Sequence, residues 1–102
     1  MIESIKPSEL KNKKYQITMD NGKKYDFGLK TGQTYIDHHD KTKRENYLKR
    51  HFLNPNETHL IVNLTPSPAL FSFVILWGPT TSIEKNIEHL KKQWKIKQNQ
   101  RL

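Results

Sequence analysis

The chain has 102 residues, with 18 Lys and Arg against 10 Asp and Glu, a formal net charge of +8, and only 33% hydrophobic residues. That length admits one domain with a thin core, which buries about 60–65% of the unfolded surface. The absence of cysteine excludes disulfides, thiol nucleophiles and Cys-ligated zinc, and the longest apolar run, residues 73–77, is about a quarter of the roughly 20 residues a membrane span needs.

Residues 1–13 mix Lys, Ser, Asn and Pro without a sustained period and read as a flexible arm. They carry Glu3, Pro7 and Glu9 and no apolar core region, so no secretory signal is expected. Residues 14–29 read as a β-hairpin, because Tyr15, Ile17 and Met19, then Tyr25 and Phe27, alternate with polar residues. A two-residue turn at Asn21-Gly22 would put the two apolar sets on opposite faces. A three-residue loop, Asp20-Asn21-Gly22, pairs Ile17 with Tyr25 and Tyr15 with Phe27 and unites them, with Gly22 supplying the left-handed residue.

Residues 28–39 read as a loop anchored by Tyr35 and Ile36. Asp40 is placed to cap a helix from 41 to about 53, with Tyr47–His51 and Leu48–Phe52 as i,i+4 pairs. Asn54-Pro55 stops it. Residues 59–64 read as a short strand or an extended linker. Ser67-Pro68 is a helix start, followed by an apolar helix over 69–77, with a buried strand as the competing reading. Gly78-Pro79 ends it. Thr81-x-x-Glu84 is a capping-box pattern before an amphipathic helix to about 95, built on Ile83, Ile87, Leu90 and Trp94. The expected organisation is a flexible arm over 1–13, one domain over 14–95 and a fraying basic tail over 96–102. The fold class is α+β: an N-terminal antiparallel β-hairpin followed by about three helices around a small aromatic-rich core, with Trp77 buried against Tyr25, Phe27 or Leu48.

Few residues suggest catalysis. Asp37-His38-His39-Asp40 could ligate a metal, but neighbours in sequence diverge on most backbones, so at most two converge on one ion. The other reading is a loop framing a helix start. No GxSxG, Walker or GxGxxG pattern is present. The expectation is a non-enzyme with no catalytic residues, no metal site and no cofactor. The basic residues are better ordered. Lys41, Lys43, Arg44, Lys49 and Arg50 fall on one helix, and Lys91, Lys92 and Lys95 on the last. A charge surplus of this size favours polyanions, nucleic acid before membrane surfaces. Cations spread over a face can follow a phosphate backbone, although a Lys-rich face is also the ordinary surface of a solvated helix. No base-reading motif accompanies them, so contact would be directed at the backbone.

One ordered series of residues carries a resemblance. It runs Phe27-Gly28, Tyr35-x-Asp37-His38-His39-Asp40, Arg44-x-x-Tyr47-x-x-Arg50-His51, Ser72-x-x-Ile75-Leu76-Trp77-Gly78, then Ile83, Ile87 and Lys91-Lys92-x-Trp94. Over residues 23–94 this resembles the small basic proteins of unknown function encoded by large nucleocytoplasmic DNA viruses of the phycodnavirus, iridovirus and mimivirus groups. The resemblance implies a viral protein, made late or packaged, located in the virion or the infected cell, and it supplies no catalytic residues. It departs from the family at Phe73-Val74, where members often carry Arg-Trp, and over 54–64, which is more apolar than the usual charged linker. The resulting expectation is a protein that binds nucleic-acid backbone without strong sequence preference, with a role in viral genome packaging. The alternative is a minor virion or assembly protein that contacts acidic protein surfaces.

Overall fold

A computed structural model of the chain describes residues 1–100, with the side chains of Phe52, Asn99 and Gln100 outside that description. The Leu48–Phe52 pair and the last two residues of the expected tail therefore lie outside the described residues. Three strands, β1 (Ile2–Pro7), β2 (Lys13–Met19) and β3 (Lys24–Leu29), form an antiparallel sheet in chain order. The β2–β3 register pairs Ile17 with Tyr25 and Tyr15 with Phe27, as the three-residue loop requires. Met19 N–H donates to Lys23 O at 2.8 Å across that loop, and Gly22 takes the left-handed conformation at φ 88°.

The first strand corrects the expected arm. Ile2 pairs with Met19 and Ile5 with Ile17, with a register shift between Ile2 and Ser4. Three residues apart on a regular strand, Ile2 and Ile5 would face opposite sides; the extra residue of a bulge brings both to the core face. The segment is tied down further by Ser8 Oγ, which donates to Asp26 Oδ1 at 2.6 Å, and by the Met1 ammonium, 3.1 Å from Asp20.

The helices follow as α1 (Tyr35–His38), α2 (Lys41–Phe52), α3 (Pro55–Val62), α4 (Pro68–Phe71), a π-helical segment (Ser72–Leu76) and α5 (Ile83–Gln100). The region expected to be a strand or linker at 59–64 is instead largely α3. Asn54 caps it by accepting Asn56 N–H at 3.0 Å, and Pro55 occupies the first turn, so the pair that ends α2 also starts the next helix. Ser67 caps α4 as expected, accepting Leu70 N–H at 3.1 Å. The cap of α5 lies one residue beyond the expected Thr81: the Ser82 hydroxyl accepts Lys85 N–H at 3.3 Å. The helix continues through Gln100, where a frayed tail was expected from 96.

The core lies between one face of the sheet and the helices. Ile2, Ile17, Met19 and Phe27 meet Leu70, Phe71, Ile75 and Leu76, with Ile87 and Leu90 of α5 completing it. Leu70 and Phe71 recur as Ile75 and Leu76 five residues on. That spacing fits the wider π-turn, in which Trp77 N–H donates to Ser72 O at 3.2 Å. Gly28, at φ 79°, lets β3 approach this segment; a Cβ there would stand 2.8 Å from Leu76 Cδ1. The fold is α+β, a three-stranded sheet followed by helices with an aromatic cluster in its core.

Candidate nucleic-acid interface

The Asp37–Asp40 loop frames two helix starts. Asp37 closes a capping box on α1: its carboxylate accepts Thr34 N–H at 2.8 Å and the Thr34 hydroxyl at 3.0 Å. It also pairs with Lys14 Nζ at 2.8 Å. Burial pushes the Asp37 carboxyl up, but the Lys14 ammonium and the two Thr34 donors outweigh it and hold the carboxyl below its ordinary range. A depressed carboxylate stabilises the fold above its unfolded pKa of about 3.9 and loses that contribution as pH falls through the lower folded value. Below about pH 4 the wild type should therefore lose stability more steeply than Asp37→Asn, which acid titration followed by circular dichroism would measure; parallel acid limbs would refute it.

Asp40 caps α2, accepting the N–H groups of Thr42 and Lys43 at 3.0 and 3.1 Å. Its own N–H donates to His38 Nδ1 at 2.9 Å. With Nδ1 as acceptor, the neutral imidazole carries its proton on Nε2. That Nε2 is buried and has no hydrogen-bond partner among the described residues. No group of three or more His, Asp or Glu among the described residues is gathered to hold a metal.

The basic residues of α2 divide into two kinds. Lys41, Lys43, Lys49 and Arg50 are exposed. Arg44 is half-buried: its Nε donates to Trp77 O at 3.2 Å and Gly78 O at 2.9 Å, and its guanidinium lies 5.5 Å from the Tyr35 ring. It fastens α2 to the end of the π-helical segment, so the reading of Arg44 as a free surface cation needs correcting. Arg44→Gln should cost about 1.5–3 kcal/mol, the worth of hydrogen bonds to a charged group. A urea midpoint unchanged by that substitution would show the anchor to be idle.

Trp77 is half-buried, packed against the edge of the core rather than enclosed by it. It stacks on Tyr47 at 4.1 Å and 6°, and its ring also lies 5.3 Å from that of His38. Tyr47 in turn lies against His51, the rings 4.0 Å apart and tilted by 32°. Burial, with the Glu57 carboxylate adding to it and Arg50 opposing, pushes the Tyr47 phenol above its ordinary value. His51 Nδ1 lies 2.5 Å from Glu57 Oε2 and clasps α2 to α3.

This aromatic column runs beside two adjoining cavities, about 380 and 330 Å³ in volume, which share Gln33, Tyr47, Arg50 and Trp77. Lys43, His38 and Asn46 complete the smaller one. Residues 3–51 match the model of a family of unknown function, DUF5754. No curated protein and no solved structure matches the chain. The match spans the sheet, α1 and α2 up to His51, and so includes His38, Lys43 and Arg50 but not Trp77.

The second basic cluster stands elsewhere. On α5, Lys92 and Lys95 are exposed and Lys91 half-buried. Lys95 lines a third cavity of about 450 Å³ with Leu64 and Trp94, which shares no residue with the first two. There Trp94 Nε1 donates to Leu64 O at 2.8 Å, and Lys97 Nζ donates to Asn63 O. Sequence spacing found Lys43 and Arg50. It did not place Gln33 and His38 along the same cavity, where the turn of α1 brings them, and it missed the His51–Glu57 pair, which crosses a helix break.

Proposed function

We propose that this protein is a non-enzymatic binder of nucleic-acid backbone, tolerant of sequence, that uses the exposed cations of α2. The observation that carries the reading is the smaller cavity beside the Tyr47–Trp77 stack. Lys43 and Arg50 line it, and no acidic side chain is among the described residues of its wall. A cationic groove beside aromatic rings is the composition used to hold strands without reading bases. The resemblance to small basic proteins of large DNA viruses gives the setting: a factor that packages or condenses a genome, where sequence tolerance is useful.

Four cations, Lys41, Lys43, Lys49 and Arg50, would give a log–log salt slope of about −3 to −4 on duplex DNA, and Lys43→Gln with Arg50→Gln should flatten it by about 2. Both side chains are exposed, so the double variant should melt with the wild type. Fluorescence anisotropy over a salt series on unrelated DNA and RNA duplexes measures this. An unchanged slope would leave α2 as an ordinary solvated face. Absence of binding to any nucleic acid at low salt would transfer the surface to an acidic protein partner, such as a virion component.

A further inference from the structure

The larger of the two adjoining cavities contains one hydrogen-bonding side chain whose orientation is fixed. His51 Nδ1 lies 2.5 Å from Glu57 Oε2, and its ring lies against Tyr47, 4.0 Å away. An ionised carboxylate only accepts, so Nδ1 carries a proton, and in the neutral ring Nε2 is left as an acceptor. That Nε2 has no partner among the described residues. The one closed and unpartnered side-chain nitrogen or oxygen among them belongs to His38, so solvent reaches the Nε2 of His51. With Nδ1 and one face engaged, the Nε2 edge and the outer face are what His51 offers to the cavity it lines. Glu57 lines it too, its carboxylate held against His51.

Much of the remaining wall is apolar: Leu29, Pro68, Ala69, Leu76 and the rings of Tyr47 and Trp77. Lys13 and Arg50 also line it, and the Arg50 guanidinium stands 6.0 Å from the Tyr47 ring centroid. An apolar slot with one oriented polar atom and cations beside it suits a flat heterocycle joined to an anion. The volume, about 380 Å³, takes one base with its sugar and not a base pair with two backbones. An acceptor in that slot answers to every base, because each carries an N–H donor on its Watson–Crick edge. In a duplex those edges face the partner strand.

We infer that this cavity seats one unpaired base of a single strand, with His51 Nε2 accepting from the base edge and Lys13 and Arg50 beside the flanking phosphates. The inference rests on the backbone reading above and deepens it: an unpaired base of any kind gains a contact that a duplex cannot make. Glu57 is a positioning residue that fixes the tautomer of His51.

Three probes of equal length separate base from charge in fluorescence anisotropy: an oligothymidylate, an abasic strand of deoxyribose phosphate, and a mixed-sequence duplex. The oligothymidylate should bind about tenfold more tightly than the abasic strand, the low end of what one held base contributes. His51→Phe keeps a ring beside Tyr47 and removes Nε2; Ala69→Leu narrows the slot without touching a charge. Each should lose most of the tenfold advantage and leave the duplex salt slope intact, with circular dichroism establishing that both variants are folded. Oligothymidylate should shift the ¹⁵Nε2 resonance of His51, and the duplex should not. Equal affinity for thymidylate and abasic strands, with an unmoved His51 resonance, would overturn the base site, and duplex binding with its salt slope would then still support the backbone reading. Thymidine binding as tightly as the strand would assign the cavity to a free nucleoside and overturn the strand. Absence of binding to all three probes would overturn both readings.

Discussion

Replacing Asn86 by leucine is expected to remove about 3–5 kcal/mol of stability, because two carbonyls and an amide lose their partners together and each buried unpaired group costs about 1–3 kcal/mol. Asn86 is fully buried. Its Nδ2 donates to Ile75 O at 2.8 Å and Thr80 O at 2.9 Å; its Oδ1 accepts Thr80 N–H at 3.0 Å and the Thr80 hydroxyl at 2.7 Å. The need arises in the backbone. The residue four beyond Ile75 is Pro79, which has no N–H to give its carbonyl. The amide of Asn86 takes that place and at the same time holds the turn that carries the chain into α5. Gly78, in the same turn, has no room for a Cβ, which would collide with the Val74 carbonyl and the Asn86 amide. Against a total stability of about 5–15 kcal/mol, that loss is a large share. Urea denaturation would measure it, and a midpoint near that of the wild type would refute the account.

Phe71→Ala should have an effect of similar size, about 3–5 kcal/mol. The ring is fully buried and joins three elements: its centroid lies 5.5 Å from Tyr25, 5.7 Å from Phe27 and 6.4 Å from Trp94. Truncation leaves a cavity among α4, β3 and α5, which these contacts hold together, so it cannot collapse without moving one of them. Phe71→Leu fills most of that volume and should cost far less. Equal losses for the two variants would show that ring volume is not what matters at this position.

Where local pattern and tertiary demand agree, the sequence was readable. The β2–β3 register followed from asking which loop length unites Tyr15, Ile17, Tyr25 and Phe27, and the caps at Asp40 and Ser67 followed from residue type alone. Two of the failures share a cause: one extra residue in a regular element. The bulge in β1 breaks the period of two, so Ile2 and Ile5 look unpatterned. The π-turn breaks the helical period, so Trp77, seven residues after Leu70 and in phase with it on an α-helix, is carried to the edge of the core, beside Tyr47. At the candidate site the charges of Lys43 and Arg50 were legible from helical spacing. Their meeting with His38 and Gln33 was not, because it comes about only through the single turn of α1 and the left-handed backbone of His39, at φ 57°.

The bulged first strand also decides what the sheet can accept at its rim. With the strands in chain order, β1 is an edge strand, and a regular strand there would be a template for another chain. Here the bulge distorts the spacing of N–H and C=O groups, Pro7 lacks a donor altogether, and Glu3 and Lys6 are exposed along the strand. An incoming strand would find its ladder out of step at one end and a missing bond at the other. The irregularity that hides β1 from sequence patterning thus also guards this side of the sheet against intermolecular strand addition.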